Sequence, residues 1–213
     1  MDTHSPLPAI LLLPLAFFLG AIPFGFIAGK RRGVDLREQG SKSIGATNTL
    51  RTLGTKAGVT VLVLDVAKGL LPVLAARGMG LEGRWCVAVG LCAVLGHIYS
   101  PFVRFRGGKG VATGLGVLIA LSPTVAGITA AVFLLTVTLT RLVSLGSILA
   151  ALAEATLFFF ITPHERAFQV FGVVVAAFVI FRHRTNIARI ASGTENRFGS
   201  TKPVADGTPA PPR

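Results

Sequence analysis

Acidic side chains are scarce in this chain. Nine Asp and Glu stand against 21 Lys and Arg, and charged residues of both signs make up only 14% of 213 positions. A soluble domain carries roughly 25%, so a water-soluble globule of this length is excluded. Cysteine is nearly missing as well. Cys86 and Cys92 lie in one apolar run and suggest neither a disulfide framework nor a metal motif. No CxxC, HExxH or GxSxG occurs, which removes the usual signatures of zinc sites and nucleophile-elbow hydrolases. The opening residues, MDTHSPLPAI, lack the positive n-region of a cleaved leader, so the first apolar segment is expected to be a retained helix.

What fills the chain instead is apolar sequence. Hydrophobic residues make up 52% and the mean hydropathy is +0.70, the signature of an all-α polytopic membrane protein. Spans are expected near 8–29, 58–76, 85–103, 111–122, 124–140, 144–162 and 167–181. Residues 111–140 are one apolar stretch, which Ser122-Pro123 divides into two short helices. With seven spans, seventeen of the 21 Lys and Arg fall in 30–57, 104–110, the Arg141 turn and the segment after 181, all on one face. The positive-inside rule makes that face cytoplasmic and puts the N-terminus outside. One domain is expected over 1–199, and STKPVADGTPAPPR reads as a disordered tail over 200–213. The net charge of +12 does not point to nucleic acid, because the cations are confined to segment ends. Anionic headgroups and phosphorylated substrates suit them better.

The phrase RFRGGKGVATGLG at 104–116 places cations among glycines at the mouth of an apolar segment. Two readings stand. Gly107, Gly108 and Gly110 free the backbone to close on a phosphate that Lys109 neutralises, or the loop is only a topology signal ahead of a close-packing helix. It is not a Walker A loop, since Gly110 rather than Ser or Thr follows Lys109.

Other polar groups gather near the same face. The loop after the first span carries Ser41, Ser43, Thr47 and Asn48, then Arg51, whose planar fork suits an anion. The plain alternative is a solvated basic loop. Asp65 and Lys68 lie inside the second span. At i,i+3 they can pair with each other, yet charge within a span is costly and usually lines a functional cavity. His97 precedes the glycine loop, as a packing residue or as a base. Ser144 reads as the N-cap of the sixth span, and Ser147 stands one turn further in, where it can point at a ligand. His183 and Asn186 share a helical face, whereas Arg182 and Arg184 point elsewhere, toward headgroups. A polar pocket open to cytosol and lipid follows. A transporter or channel for a phosphorylated anion would also use such groups, but no repeated halves are visible.

The phrases GSKSIGATNTLRTLG, LDVAKG, GHIYSPFVRFRGGKGVATGLG, SLGS and FRHRTNIARIASGTENRFG occur in this order. Together they resemble the bacterial membrane glycerol-3-phosphate acyltransferases that use acyl-phosphate as donor, from about Ala21 to Gly199. The resemblance implies a seven-helix inner-membrane enzyme with its site on the cytoplasmic side and no cofactor or metal. It would move a fatty acyl group to the 1-hydroxyl of glycerol 3-phosphate, giving lysophosphatidic acid and phosphate. It also implies that Ser41, Arg51, Lys109, Ser147, His183 and Asn186 line the site. Arg51 and Lys109 would meet phosphate charge, and Ser41, Ser147 and Asn186 would supply hydrogen bonds. His183 would orient substrate or take a proton, unless a substrate phosphate takes it. The HxxxxD motif of other acyltransferases is missing, since Phe102 and Ala188 follow the two histidines at that spacing. One departure stands out: where the family usually reads GSGNIGATN, this chain has GSKSIGATN, with Lys42 for a glycine and Ser43 for an asparagine.

Overall fold

The structure, a computed structural model, describes residues 7–199. The tail expected at 200–213 lies outside them. Ten α-helices follow in order: α1 Leu7–Ala21, α2 Phe24–Lys30, α3 Ala46–Leu53, α4 Thr55–Gly78, α5 Gly83–Ile98, α6 Val111–Leu121, α7 Pro123–Thr140, α8 Val143–Ile161, α9 Arg166–Arg182 and α10 Arg184–Ala191. No strand occurs among the described residues. Five segments have the length and apolarity to cross a bilayer: Leu7–Lys30, Thr55–Gly78, Gly83–Val103, Pro123–Thr140 and Val143–Ile161. The pair α9 and α10, bent by 59°, makes a sixth if taken as one span. The expected span at 111–122 is an 11-residue helix, roughly 16 Å long at helical rise. That is about half a hydrocarbon core.

Helix breaks follow sequence chemistry. Pro123 starts α7 at its first turn, and Ser122 caps it by accepting from the Val125 N–H at 3.4 Å. This is the turn the Ser-Pro pair predicts. The first span was expected to be continuous, but it is interrupted at Ile22-Pro23. Pro23 ends α1, and the break takes the carbonyls of Ala21 and Ile22 out of the helical i+4 pattern. Ile22 O keeps the Phe24 N–H at 3.2 Å, and side chains from other segments complete both. Ser100 Oγ donates to Ala21 O at 2.6 Å, and Lys68 Nζ donates to Ile22 O at 2.8 Å.

Lys68 therefore has a structural task that the sequence left open. Its ammonium lies 2.7 Å from Asp65 Oδ1, both side chains are 2% exposed, and the Phe24 ring sits 5.5 Å away. Close crossings hold the remaining helices. On α4, a Cβ at Gly69 would collide with the Thr113 backbone, and on α6 one at Gly116 would collide with the Val66 carbonyl. Such small-residue contacts let helices pack where lipid offers no hydrophobic drive. At the far end Phe158 meets Phe168 and Phe171 edge-on, with centroids 5.7 and 6.3 Å away.

Removing one member of the buried pair should be far more damaging than removing both. Lys68→Met should cost about 3–5 kcal/mol, because it leaves Asp65 without its buried counter-charge. Combining it with Asp65→Leu should recover a large part. Thermal unfolding midpoints of the three purified proteins in detergent check this, and equal losses in single and double variants would contradict it.

Candidate active site

The loop between α2 and α4 is built around one buried amide. Asn48 is 1% exposed. Its Oδ1 accepts from the Ser41 N–H at 2.9 Å, and its Nδ2 faces the carbonyls of Leu36, Gln39 and Ser43 at 2.8–3.0 Å. Asn48, expected to contact substrate, lines the cavity, with its polar atoms engaged by the loop itself. Gly45 and Gly54 bracket α3 as its N-cap and C-cap, a short helix that the sequence did not announce. It turns Arg51 toward the loop's pocket side, where no hydrogen bond from the described residues engages the half-buried guanidinium. Lys42 sits at φ 57°, a left-handed conformation in which glycine is at ease and a side chain is strained. Its side chain is exposed and does not line the pocket, whereas Ser43 does, with its Oγ accepting from the Gly45 N–H at 3.3 Å.

The glycine loop answers a different need from the one expected. The N–H groups of Gly107 and Gly108 donate to Ile98 O and His97 O at 3.1 and 3.2 Å. They are therefore not free to cradle an anion, and neither residue lines the pocket. A Cβ at Gly108 would strike the His97 ring, and one at Gly107 the His97 carbonyl. Bare backbone is needed so that the loop can lie flat on the end of α5. Arg182, expected at the headgroups, reaches back instead and donates to Gly107 O and Gly108 O at 2.9 and 3.1 Å. His97 is 6% exposed, with Nδ1 lying 3.8 Å from Asp65 Oδ1. Its ring is thus fixed between the buried ion pair and the loop. The loop's contribution to the pocket is Lys109, together with Gly110.

Lys109 Nζ donates to Asn186 Oδ1 at 2.5 Å, and Asn186 Nδ2 donates to Glu195 Oε1 at 2.6 Å. Ser144 Oγ joins the same oxygen at 2.8 Å, and Arg189 Nε reaches Oε2 at 2.6 Å. Ser144 is therefore not the N-cap of α8, a place held by Leu142. Burial pushes the Glu195 carboxyl up, but hydrogen bonds from Asn186, Arg189 and Ser144 outweigh it and hold the group below its ordinary value. Glu195 was missed in the sequence. The available signal was that it is the sole carboxylate between α9 and residue 199. Burial drives the Lys109 ammonium down to about 8, against the pull of Glu195 and with the push of Arg189, Arg182 and Arg51. His183 occupies the bend between α9 and α10, with Nδ1 2.7 Å from Val179 O. A carbonyl can only accept, so Nδ1 carries the proton and Nε2 keeps its lone pair.

Many of these groups face one cavity of about 410 Å³. Ser41, Ser43, Thr47, Arg51, Lys109, Ser147, His183 and Asn186 line its polar end, with Asp65 and His97 also at its wall. Lys68 does not reach it. Ser147 Oγ donates to Val143 O at 2.9 Å, so in this state it presents lone pairs rather than a proton to the cavity. The other end is apolar, lined by Leu115, Leu118, Ala130, Phe133, Ala151 and Val175, and it reaches the lipid-facing surface at Leu62 and Leu134, which are 43% and 62% exposed. Two polar side chains interrupt this greasy wall, Thr129 and Glu154. The arrangement suits a ligand with an anionic head and an aliphatic tail.

Comparison with known proteins supplies context. The family described as glycerol-3-phosphate acyltransferase matches residues 10–193. A glycerol-3-phosphate acyltransferase of Geotalea daltonii is 48% identical over 189 residues, covering 89% of this chain and 97% of that protein. One from Aquifex aeolicus is 44% identical over 191 residues, covering 89% and 99%. Among solved structures, the glycerol 3-phosphate form of PlsY (YgiH), an integral membrane glycerol 3-phosphate acyltransferase, superposes with a TM-score of 0.86 at 44% identity, over 90% of this chain and 96% of that one. Its lysophosphatidic acid form gives 0.82 at 42% identity, with the same coverage.

The geometry of Lys109 sets a pH dependence. Only its protonated form pairs with an anion, so affinity for a phosphate monoester should be level from about pH 7, where the monoester is mostly dianionic, to about pH 8, and fall above it. Lys109→Arg, charged throughout that range, should flatten the decline in a calorimetric titration, and an unchanged decline would dismiss Lys109 as its source. Lys42→Gly should raise the unfolding midpoint by removing left-handed strain, while phosphate affinity stays the same. A lower midpoint would show that the lysine is held there by more than the backbone tolerates.

Proposed function

The chain belongs to the glycerol-3-phosphate acyltransferase family, and on that premise we propose that it transfers a fatty acyl group from acyl-phosphate to the 1-hydroxyl of sn-glycerol 3-phosphate, giving lysophosphatidic acid and phosphate. One observation carries the donor assignment: a guanidinium with no hydrogen bond among the described residues and a partly buried ammonium share a cavity whose other half is apolar. Both substrates of this reaction bear phosphate, and one bears a long chain. Transporter chemistry gives way to the acyltransferase description of the family.

Acyl-phosphate already carries its leaving group, so the site has no need of a covalent nucleophile. It has to hold two phosphates of like sign together and stabilise an oxyanion. Arg51 and Lys109 offset that charge. The glycerol 1-hydroxyl oxygen attacks the acyl carbonyl carbon, and the bond from that carbon to the phosphate oxygen breaks as the tetrahedral oxyanion collapses. The hydroxyl proton goes to His183 Nε2 and from there to the departing phosphate. Ser41 and Ser147 orient the phosphates and the oxyanion, with Ser147 turning its hydroxyl away from Val143 O to donate. Asn186 sets Lys109 in place, since its Oδ1 accepts from that ammonium and its Nδ2 is tied to Glu195.

The same proposal covers topology. Segments 41–51, 109–110, 143–147 and 183–196 all reach the polar end of the cavity. The α6–α7 pair thus leaves that end at Gly110 and returns to it before Val143. Counting short α6 as one leg gives seven traverses, with the polar end cytoplasmic in a bacterial inner membrane, as the cation distribution demands.

Purified protein in detergent, given acyl-phosphate and glycerol 3-phosphate, should release lysophosphatidic acid and phosphate in equal amounts, and acyl-CoA should not replace the donor. Lys109→Ala should lower kcat/KM by about 10- to 100-fold, the loss of one charge-assisted partner in a partly desolvated site. Activity with acyl-CoA but not with acyl-phosphate would overturn the donor assignment.

A further inference from the structure

The apolar half of the cavity contains a defect that the reaction does not use. Glu154 lies on α8 seven residues beyond Ser147, hence on the same helical face and two turns, roughly 10 Å, deeper. It is 5% exposed, lines the cavity, and its Oε1 has no hydrogen-bond partner. Thr129 on α7 is 6% exposed, lines the same cavity, and its Oγ1 is likewise without a partner. The two helices pack antiparallel, with Gly146 of α8 against Phe133 and Val137 of α7. Two turns along from Gly146 and Val137, that register brings Glu154 level with Thr129. A plain hydrocarbon chain in this channel leaves both groups unpaired, which is costly in a buried apolar setting. A carboxyl and a hydroxyl on neighbouring helices offer donors and acceptors at one depth, well away from the polar end of the cavity.

We propose that Glu154 and Thr129 form a polar subsite in the acyl channel that selects acyl chains bearing a hydrogen-bonding oxygen, such as a hydroxyl, near mid-chain. This rests on the acyl-transfer function proposed above, and it adds the class of chain. A hydroxyl at that depth pairs with groups that otherwise stay unsatisfied. Sites built to hydrogen-bond a substrate hydroxyl discriminate strongly against the analogue that lacks it. The effect should depend on position along the chain, because a hydroxyl close to the carbonyl or at the methyl end meets only the apolar wall.

The test is a competition between a saturated acyl-phosphate and its mid-chain hydroxylated counterpart, read as the ratio of their kcat/KM values in one preparation, so that partial misfolding cancels. Wild-type protein should favour the hydroxylated donor tenfold or more, and should show no such preference for a hydroxyl placed next to the carbonyl. Glu154→Ala should raise kcat/KM for the saturated donor and lower it for the hydroxylated one, collapsing the ratio. Glu154→Gln should retain much of it. Thr129→Val provides an independent check and should reduce the ratio as well. A wild-type ratio near one, or a ratio unchanged in both Glu154→Ala and Thr129→Val while acyl transfer continues, would overturn the subsite. Absence of product from either donor in the wild-type protein would instead strike the acyl-transfer function itself, and the channel assignment with it.

Discussion

Inside a bilayer, a helix cannot be broken unless another part of the protein satisfies the carbonyls that the break releases. The interruption at Ile22-Pro23 imposes that condition here, and Lys68 and Ser100 meet it. A lysine buried for this purpose needs a counter-charge, which Asp65 provides. Asp65 stands beside His97, whose ring forms the surface on which Gly108 lies. The loop fixed in this way presents Lys109, and Lys109 meets Asn186 on the last helix. The position of the site's central cation thus traces back, contact by contact, to a proline in the first span.

The electrostatics of the site are deliberately unbalanced. Arg51, Lys109, Arg182 and Arg189 converge where the described residues offer Glu195 as the principal opposing charge. Glu195 is itself committed to Ser144, Asn186 and Arg189. The surplus positive potential is left for ligand, in a place dry enough to depress an ammonium. Under the proposed reaction this surplus would let the site hold two like-charged phosphates together: the cost of burying cations and the cost of bringing anions close would offset one another only when substrate arrives.

Much of this was legible in the sequence, for physical reasons. Apolar runs, the Ser122-Pro123 turn and the one-sided cations are statements about transfer free energy and backbone chemistry, and they located six of the helical segments to within a few residues. The polar residues singled out were largely those that meet at one cavity. What escaped were long-range partnerships. Asn48 looks the same in a sequence whether it binds ligand or staples its own loop. Gly107 and Gly108 looked like an anion cradle because φ freedom and close approach leave the same letter. Arg182 lay in a cationic cluster that suited lipid, and only the fold brings its guanidinium to carbonyls 74 and 75 positions earlier. Glu154 sat within a run read simply as span. Its burial beside a cavity, rather than against lipid, depends on how α8 is rotated.

The clasp around Glu195 has a consequence for how the protein is made. Synthesis proceeds from the N-terminus, and the carboxylate that anchors Ser144, Asn186 and Arg189 follows every apolar helix among the described residues. While the earlier segments enter the bilayer, Lys109 has neither its amide partner nor the anion behind it. The nascent protein therefore carries an unfinished, mispositioned cation, and the site comes into being only after the last helix has been inserted and the chain beyond it has folded back. Ribosomes that stall before that point would leave an inserted bundle with no assembled site.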